Sequence, residues 1–291
     1  MQLKSLYQEG RFVLSFELFP PKTASGETAL FEHLKQLISF KPGFFTCTYG
    51  AGGSTRDNTL DIIERTKQIS NLPVASHLTC VGATADQLRE YLSEARSRDI
   101  DYIVALRGDP PKGEEEFKPV DGGLQYANEL VTLIRDEFPE FGVVVAGYPE
   151  THREAPSPEV DLANLKRKVD AGADLVVTQL YYSNEDYFRF RDRCEAAGIS
   201  VPIVPGILPA TGLSQIQRIS SMCGARLPEA FVTELRKYDE SAWQFHTGVE
   251  HAAKQVQELI DRGVPGVHFY VLNKSQATAA VVRAVGPPFG P

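Results

Sequence analysis

Eight short apolar runs, rich in β-branched and aromatic residues, alternate with helix-like segments along the chain. That alternation constrains the fold more than any other feature. The runs are "FVLSFELF", "FFTCTYG", "PVASHLTC", "YIVALRGD", "GVVVAGYP", "LVVTQLYY", "PIVPGILP" and "GVHFYVLN". Between them, segments such as "ETALFEHLKQLISF", "TADQLREYLSEARSR" and "LQYANELVTLIRDEF" carry apolar residues at helical spacing. "STRDNTLDIIERTKQI" opens on Ser54 or Thr55 as a helix N-cap, and several helical segments end in glycine, which suits the position after a helix. Strands apolar enough to be buried on both faces, alternating with helices, read as an α/β chain of the (β/α)8 TIM-barrel type. A doubly wound open sheet is the alternative, but no GxGxxG follows any run. No Pro/Gly/Ser linker divides the 291 residues. A single domain over 1–291 is therefore expected, with extra helical material between strands seven and eight at roughly residues 212–262.

The net charge of −8 leaves no broad basic surface for nucleic acid or an anionic membrane. The four cysteines, Cys47, Cys80, Cys194 and Cys223, form no CxxC pair, so neither a metal site nor a disulfide framework is expected. Reduced thiols fit a cytoplasmic protein. "MQLKSLYQEGR" lacks the apolar core of a signal peptide, and no apolar run reaches the ~20 residues that span a bilayer.

Barrels of this type build their active sites at the C-terminal ends of the strands. Applied here, that rule gathers polar residues from eight strands at one mouth. They are Glu17, "TYGAGG", His77, "RGD" (Arg107 to Asp109), "YPETH" (Tyr148 to His152), Gln179, Gln215 and Lys274. Singly, each has a plain alternative. Glu17 reads equally as an edge-strand carboxylate facing water, or as a buried carboxyl kept protonated and able to donate a proton. His77 reads as a hydrogen-bonded structural histidine, and "RGD" before Pro110-Pro111 as a turn. In "DLANLKRKVDAGAD", Asp161, Asn164, Arg167 and Lys168 fall within about 120° of one another on a helix turning ~100° per residue. That face is either solvated or a grip for the phosphates and ribose of a nucleotide.

"SFELFPPK", "TYGAGGSTRD", "HLTC", "VALRGDPP", "YPETH", "NLKRKVDAGAD", "TQLYY", "PGILP" and "HFYVLN" run in order from residue 15 to 273. Together they closely resemble the methylenetetrahydrofolate reductase family in its short bacterial form, without the regulatory domain of larger members. The resemblance implies a barrel holding noncovalent FAD. It implies reduction of 5,10-methylenetetrahydrofolate to 5-methyltetrahydrofolate by NADH or NADPH, by ping-pong hydride transfer through the flavin, supplying methyl groups for methionine synthesis. By matching motif, Glu17 takes the general-acid position, and Asp109 sits by the flavin and hydrogen-bonds the pterin. Thr48, Tyr49, Ala51, His77, Arg107, Gly108, Asp109, Tyr126, Ala127, Tyr148, His152 and Ala155 match flavin contacts. Asp161, Asn164, Arg167 and Lys168 match the cofactor's ribose and phosphate contacts. Gln179, Gln215 and Lys274 match substrate contacts, with Glu17, Thr48 and Asp109. A homo-oligomer, dimer or tetramer, is also implied. Two departures stand out: Ile219 occupies a position that is aromatic in some members, and Lys274 one that is Arg. A folate-binding methyl-transfer barrel and a noncatalytic partner subunit are the competing readings.

Overall fold

The computed structural model describes residues 3–8, 10–48, 56–110, 113–114 and 116–286. Among the described residues, nine strands form one parallel sheet that closes almost completely on itself, in the order β7-β6-β5-β4-β3-β2-β1-β9-β8. They are β1 (Val13–Leu18), β2 (Phe44–Cys47), β3 (Val74–Thr79), β4 (Tyr102–Leu106), β5 (Gly142–Gly147), β6 (Leu175–Thr178), β7 (Ile203–Val204), β8 (Gly206–Ile207) and β9 (Gly266–Tyr270). The TIM-type barrel expected from the alternation is therefore the fold.

Side chains of a strand alternate between two faces, and here each face has its own core. Leu14, Phe16 and Leu18 of β1 point outward into the main core, beneath helices such as α2 (Ala24–Ile38) and α11 (Ser275–Val285). Val13 points inward and joins Phe44, Ala75, Tyr102, Val144 and Leu175 in the barrel interior. Leu3 and Leu6 of the short α1 (Leu3–Leu6) join that inner cluster. Full burial of side chains such as Phe16 and Phe44 stabilises the fold by about 2–3 kcal/mol each.

The helices begin where the sequence supplies caps. The Thr23 hydroxyl accepts from Gly26 N–H at the start of α2. Thr84 and Gln87 form a capping box at α4 (Ala85–Ser97). Ser157 caps α6 (Pro158–Asp170), whose first residue is proline. The Ser54 or Thr55 cap expected for α3 (Arg56–Ser70) lies outside the described residues.

The seventh apolar run is not one strand. β7 pairs with β6 and β8 pairs with β9, and only Pro205 separates them, so no helix lies between β7 and β8. The helices α8 (Leu213–Cys223), α9 (Glu229–Arg236) and α10 (Ser241–Asp261) lie between β8 and β9. Pro205 has no N–H to give a ladder, which lets the chain change partners there. Its carbonyl accepts from His268 N–H at 2.9 Å, and Gly206 N–H donates to Thr178 Oγ1 at 2.9 Å. A Cβ on Gly206 would sit 2.2 Å from the Thr178 carbonyl oxygen and 2.7 Å from the Tyr270 ring. Gly206→Ala should therefore destabilise the fold by about 3 kcal/mol, read by urea unfolding. A change under about 0.5 kcal/mol would mean that the seam is not tightly packed.

Candidate active site

Glu17 lies on the inner face at the C-terminal end of β1, in register with Thr46 of β2 and Tyr270 of β9. Its Oε2 is 3.6 Å from His77 Nε2 on β3, longer than a hydrogen bond. Burial alone pushes the Glu17 carboxyl up from the usual 4.5 to about 7, and burial brings the His77 imidazole down to about 3. Between those values both groups are neutral, so this contact is not a salt bridge. Burial and then the Glu17 carboxylate raise the Cys47 thiol and the Tyr270 hydroxyl.

The polar layer beneath is largely self-satisfied. Ser15 Oγ and His268 Nδ1 share a hydrogen bond of 2.8 Å. Tyr270 OH donates to the Thr178 carbonyl at 2.7 Å, tying β9 to β6 across the barrel. The Thr46 hydroxyl, beside Glu17, is buried with no partner among the described residues.

The ends of β4 and β5 form the opposite wall. Arg107 donates two bonds of 2.7 Å to the Glu154 carboxylate, and its guanidinium lies 5.1 Å from the Phe117 ring centre. Gly108 follows with φ +91°, and Asp109 is exposed. Tyr148 and His152 meet edge to face, with ring centres 4.6 Å apart. His152 N–H donates to the buried Asp161 carboxylate at 3.1 Å. Lys168 Nζ donates to the Ala146 carbonyl at 2.6 Å and lies 5.8 Å from the Tyr148 ring centre. Burial brings that ammonium down to about 8, opposed by the charge of Asp161.

The polar face of α6 is thus divided. The row containing Asp161, Leu165 and Lys168 turns toward the barrel end, whereas Asn164 and Arg167 are exposed. The latter two pair with each other, Arg167 Nη1 donating to Asn164 Oδ1 at 2.6 Å. A cavity of about 370 Å³ beside the ends of β8 and β9 is lined by Gln215, Lys274, Tyr270, Phe245, His33 and Leu208, among others. Gln179 borders a smaller concavity with Tyr148 and Cys223, and its Oε1 accepts from Leu180 N–H at 2.8 Å. Thr48 N–H donates to the Leu18 carbonyl at 3.1 Å, and Ala155 N–H to the His152 carbonyl at 2.9 Å. Tyr126, half exposed, precedes Ala127 at the start of α5 (Ala127–Glu137). Tyr49 and Ala51 lie outside the described residues.

Four residues of this mouth were not singled out by the sequence. Tyr270 shares the inward parity of His268, so period-two counting through "GVHFYVLN" would have found it. Glu154 binds Arg107 across 47 positions, Asn273 binds Phe19 across 254, and Phe245 reaches the cavity from α10. None of these three has a local signal.

The profile of the methylenetetrahydrofolate reductase family matches residues 2–286. The chain belongs to the methylenetetrahydrofolate reductase family. It is 42% identical over 279 residues to the 5,10-methylenetetrahydrofolate reductase of Escherichia coli (strain K12), covering 96% of this chain and 92% of that one. It is 37% identical over 298 residues to methylenetetrahydrofolate reductase (NADH) 1 of Arabidopsis thaliana, covering 98% of this chain but 50% of that one. The chain thus spans half the length of the plant relative and nearly all of the bacterial one. A solved Clostridium thermocellum protein, described as binding two copies of 5-methyl-5,6,7,8-tetrahydrofolic acid, shares the fold at a TM-score of 0.67 and 15% identity over 97% of each chain.

The raised Glu17 carboxyl makes a test that needs no ligand. Its folded value, about 7, exceeds the usual 4.5, so its stabilising contribution is complete below pH ~4.5 and lost as pH rises through ~7. Glu17→Gln removes that loss. The stability of the variant relative to the parent should grow by about 3 kcal/mol between pH 4.5 and 8, read by urea unfolding. A difference independent of pH would show that the carboxyl is solvated.

Proposed function

We propose that this chain reduces 5,10-methylenetetrahydrofolate to 5-methyltetrahydrofolate, using FAD and NADH or NADPH. The observation that carries this reading is Glu17, a carboxyl that burial keeps protonated near neutral pH at the mouth of a barrel of this family. The methylene carbon bridges N5 and N10 of the folate. A proton given to N10 turns that nitrogen into a leaving group, and the carbon then stays on N5 as an iminium that accepts hydride. Glu17 is suited to give that proton, because a donor near pH 7 is both loaded and acidic enough to transfer. His77 is neutral over the same range and does not draw the proton away. The names of the relatives, with NADH in the plant one, agree with this reading.

The donor set fits a flavin nucleotide. Gly108 turns the chain at the mouth with a positive φ, and the place of its missing Cβ is taken by Val81 and Thr79. Of the three donors of the Lys168 ammonium, one goes to the Ala146 carbonyl. Lys168, Arg167 and Asn164 offer the cationic and amide groups that phosphate and ribose need. Thr48, His77, Arg107, Asp109, Tyr126, Ala127, Tyr148, His152, Ala155 and Asp161 complete the proposed contacts. Bound there, FAD would supply the two-electron relay between the nicotinamide and the folate, each in turn. Gln179 and Gln215 would orient the folate, and Lys274 would meet its carboxylate tail as a point charge. Phe245 offers an aromatic wall to the same cavity.

The test is anaerobic absorbance of the protein reconstituted with FAD. NADH or NADPH should bleach the flavin band, and 5,10-methylenetetrahydrofolate should restore it. Bleaching only by a chemical reductant would point to another electron donor, and failure to bind FAD would remove the reading. In Glu17→Gln, the folate half-reaction should slow by about 10²–10⁴-fold while bleaching by the nicotinamide persists. The parent's folate half-reaction should fall as pH rises past about 7, and the variant should lose that dependence. Phe245→Ala should raise the KM for folate by about 10-fold with little change in kcat, and an unchanged KM would place the folate elsewhere.

A further inference from the structure

We propose that Asn273 is a positioning residue for Glu17, its carboxamide continuing the β1–β9 pairing past the point where β9 turns away. The pairing of the two backbones ends with Glu17 opposite Tyr270. Beyond it, the next residue but one on β1's side is Phe19, followed by Pro20 and Pro21, which have no N–H. Phe19 therefore carries the last backbone donor before Lys22. Its N–H donates to Asn273 Oδ1 at 2.8 Å, and its carbonyl accepts from Asn273 Nδ2 at 2.5 Å. A side-chain amide thus takes both roles of a neighbouring peptide group, two residues beyond the proposed acid.

The backbone bends to make this contact. Lys274 N–H donates to the Val271 carbonyl at 2.8 Å, closing a turn whose central residues, Leu272 and Asn273, have φ of +47° and +56°. Leucine in that region is strained by about 1–2 kcal/mol, and such a conformation persists only where its surroundings over-determine it. The clamp on Phe19 supplies that determination. On the other side of the strand, Thr48 N–H donates to the Leu18 carbonyl at 3.1 Å. The end of β1 is held from both sides, and the Glu17 carboxyl is kept on the inner face beside His77. Among the described residues, the groups facing it are Thr46 on β2, His77 on β3 and Tyr270 on β9, with Cys47 on the outer face of β2 and His268 one layer below; none of these titratable groups is a cation at neutral pH.

Asn273→Gly separates the clamp from the turn, because glycine accepts a positive φ without strain but has no carboxamide. Asn273→Asp keeps an acceptor for Phe19 N–H and loses the donor to its carbonyl. The direct readout is the Glu17 carboxyl stretch in infrared difference spectra against Glu17→Gln, followed over pH in protein without ligand. In Asn273→Gly the midpoint should move from near 7 toward the usual 4.5 as the strand end loosens and water enters. The Asp variant should lie between Gly and the parent. This readout stands apart from the reductase reading, on which Glu17's role as acid rests. With substrates, the folate half-reaction should slow by about 10-fold to 100-fold relative to the nicotinamide half-reaction, the loss expected for a displaced catalytic group. An unchanged carboxyl midpoint, or equal slowing of both half-reactions, would overturn the proposal. A parent protein without a folate half-reaction would instead overturn the reductase reading and leave the midpoint test standing.

Discussion

Closure of the barrel passes through Val204, Pro205 and Gly206, and the mouth exists because of it. Val204 continues the pairing with β6, whereas Gly206 begins the pairing with β9. With the sheet left open at this seam, β9 and β6 would be its far edges. The bond from Tyr270 OH to the Thr178 carbonyl could not form, and Glu17 would face solvent across an open edge. Closure instead faces the ends of β1 and β9 toward those of β3 to β6. Eight stretches of sequence with no local relation then share one concave surface.

The interior grades in polarity from one end to the other. At the N-terminal end Leu3, Leu6, Val13, Phe44 and Tyr102 form a dry layer. Above it the polar groups bond to one another, as Ser15 does with His268 and Tyr270 with Thr178. In the uppermost layer the Glu17 carboxyl and the Thr46 hydroxyl keep unspent hydrogen-bonding capacity. A buried carboxylate without a cation is costly, so the fold keeps Glu17 neutral and does not pair it. The same low-dielectric surroundings hold His77 neutral, so two titratable groups 3.6 Å apart coexist without charge. Desolvation alone thus raises the carboxyl of an ordinary glutamate to about 7.

Much of this was legible in the sequence because strand parity and barrel topology are periodic. Alternation of helices and strands gave the architecture, and the strand-end rule brought Glu17, His77, Arg107 and Gln179 to one mouth. What periodicity does not carry is pairing between distant loops. Arg107 bonds to Glu154, and Asn273 reaches Phe19, with nothing local to announce either. Helical angle alone also could not divide the α6 face. Asp161 and Lys168 turn inward with the buried Leu165, while Asn164 and Arg167, one residue off that row, stay in solvent. The break at Pro205 was invisible for a different reason: "PIVPGILP" is apolar throughout, and only the change of partner reveals two strands.

The isoleucine at 219 serves the packing of α8 and not the wall of the cavity. Ile219 packs with Leu180, Tyr182, Leu208 and Ile216 and lines no part of the 370 Å³ cavity. The aromatic surface of that cavity comes instead from Phe245 on α10 and Tyr270 on β9. Among the described residues, Phe245 belongs to none of the hydrophobic clusters. Two contacts flank it and fix α10 against the loop after β8. Gln244 Oε1 accepts from Leu213 N–H at 2.9 Å, which ties α10 to the first residue of α8. Gly248 lies so close to that loop that an added Cβ would sit 2.0 Å from the Ala210 carbonyl oxygen. Both lie within one helical turn of Phe245, so the helix that carries the ring is anchored on either side of it. The aromatic wall of the cavity is thus carried by α10 and β9, while Ile219 on α8 packs into the core.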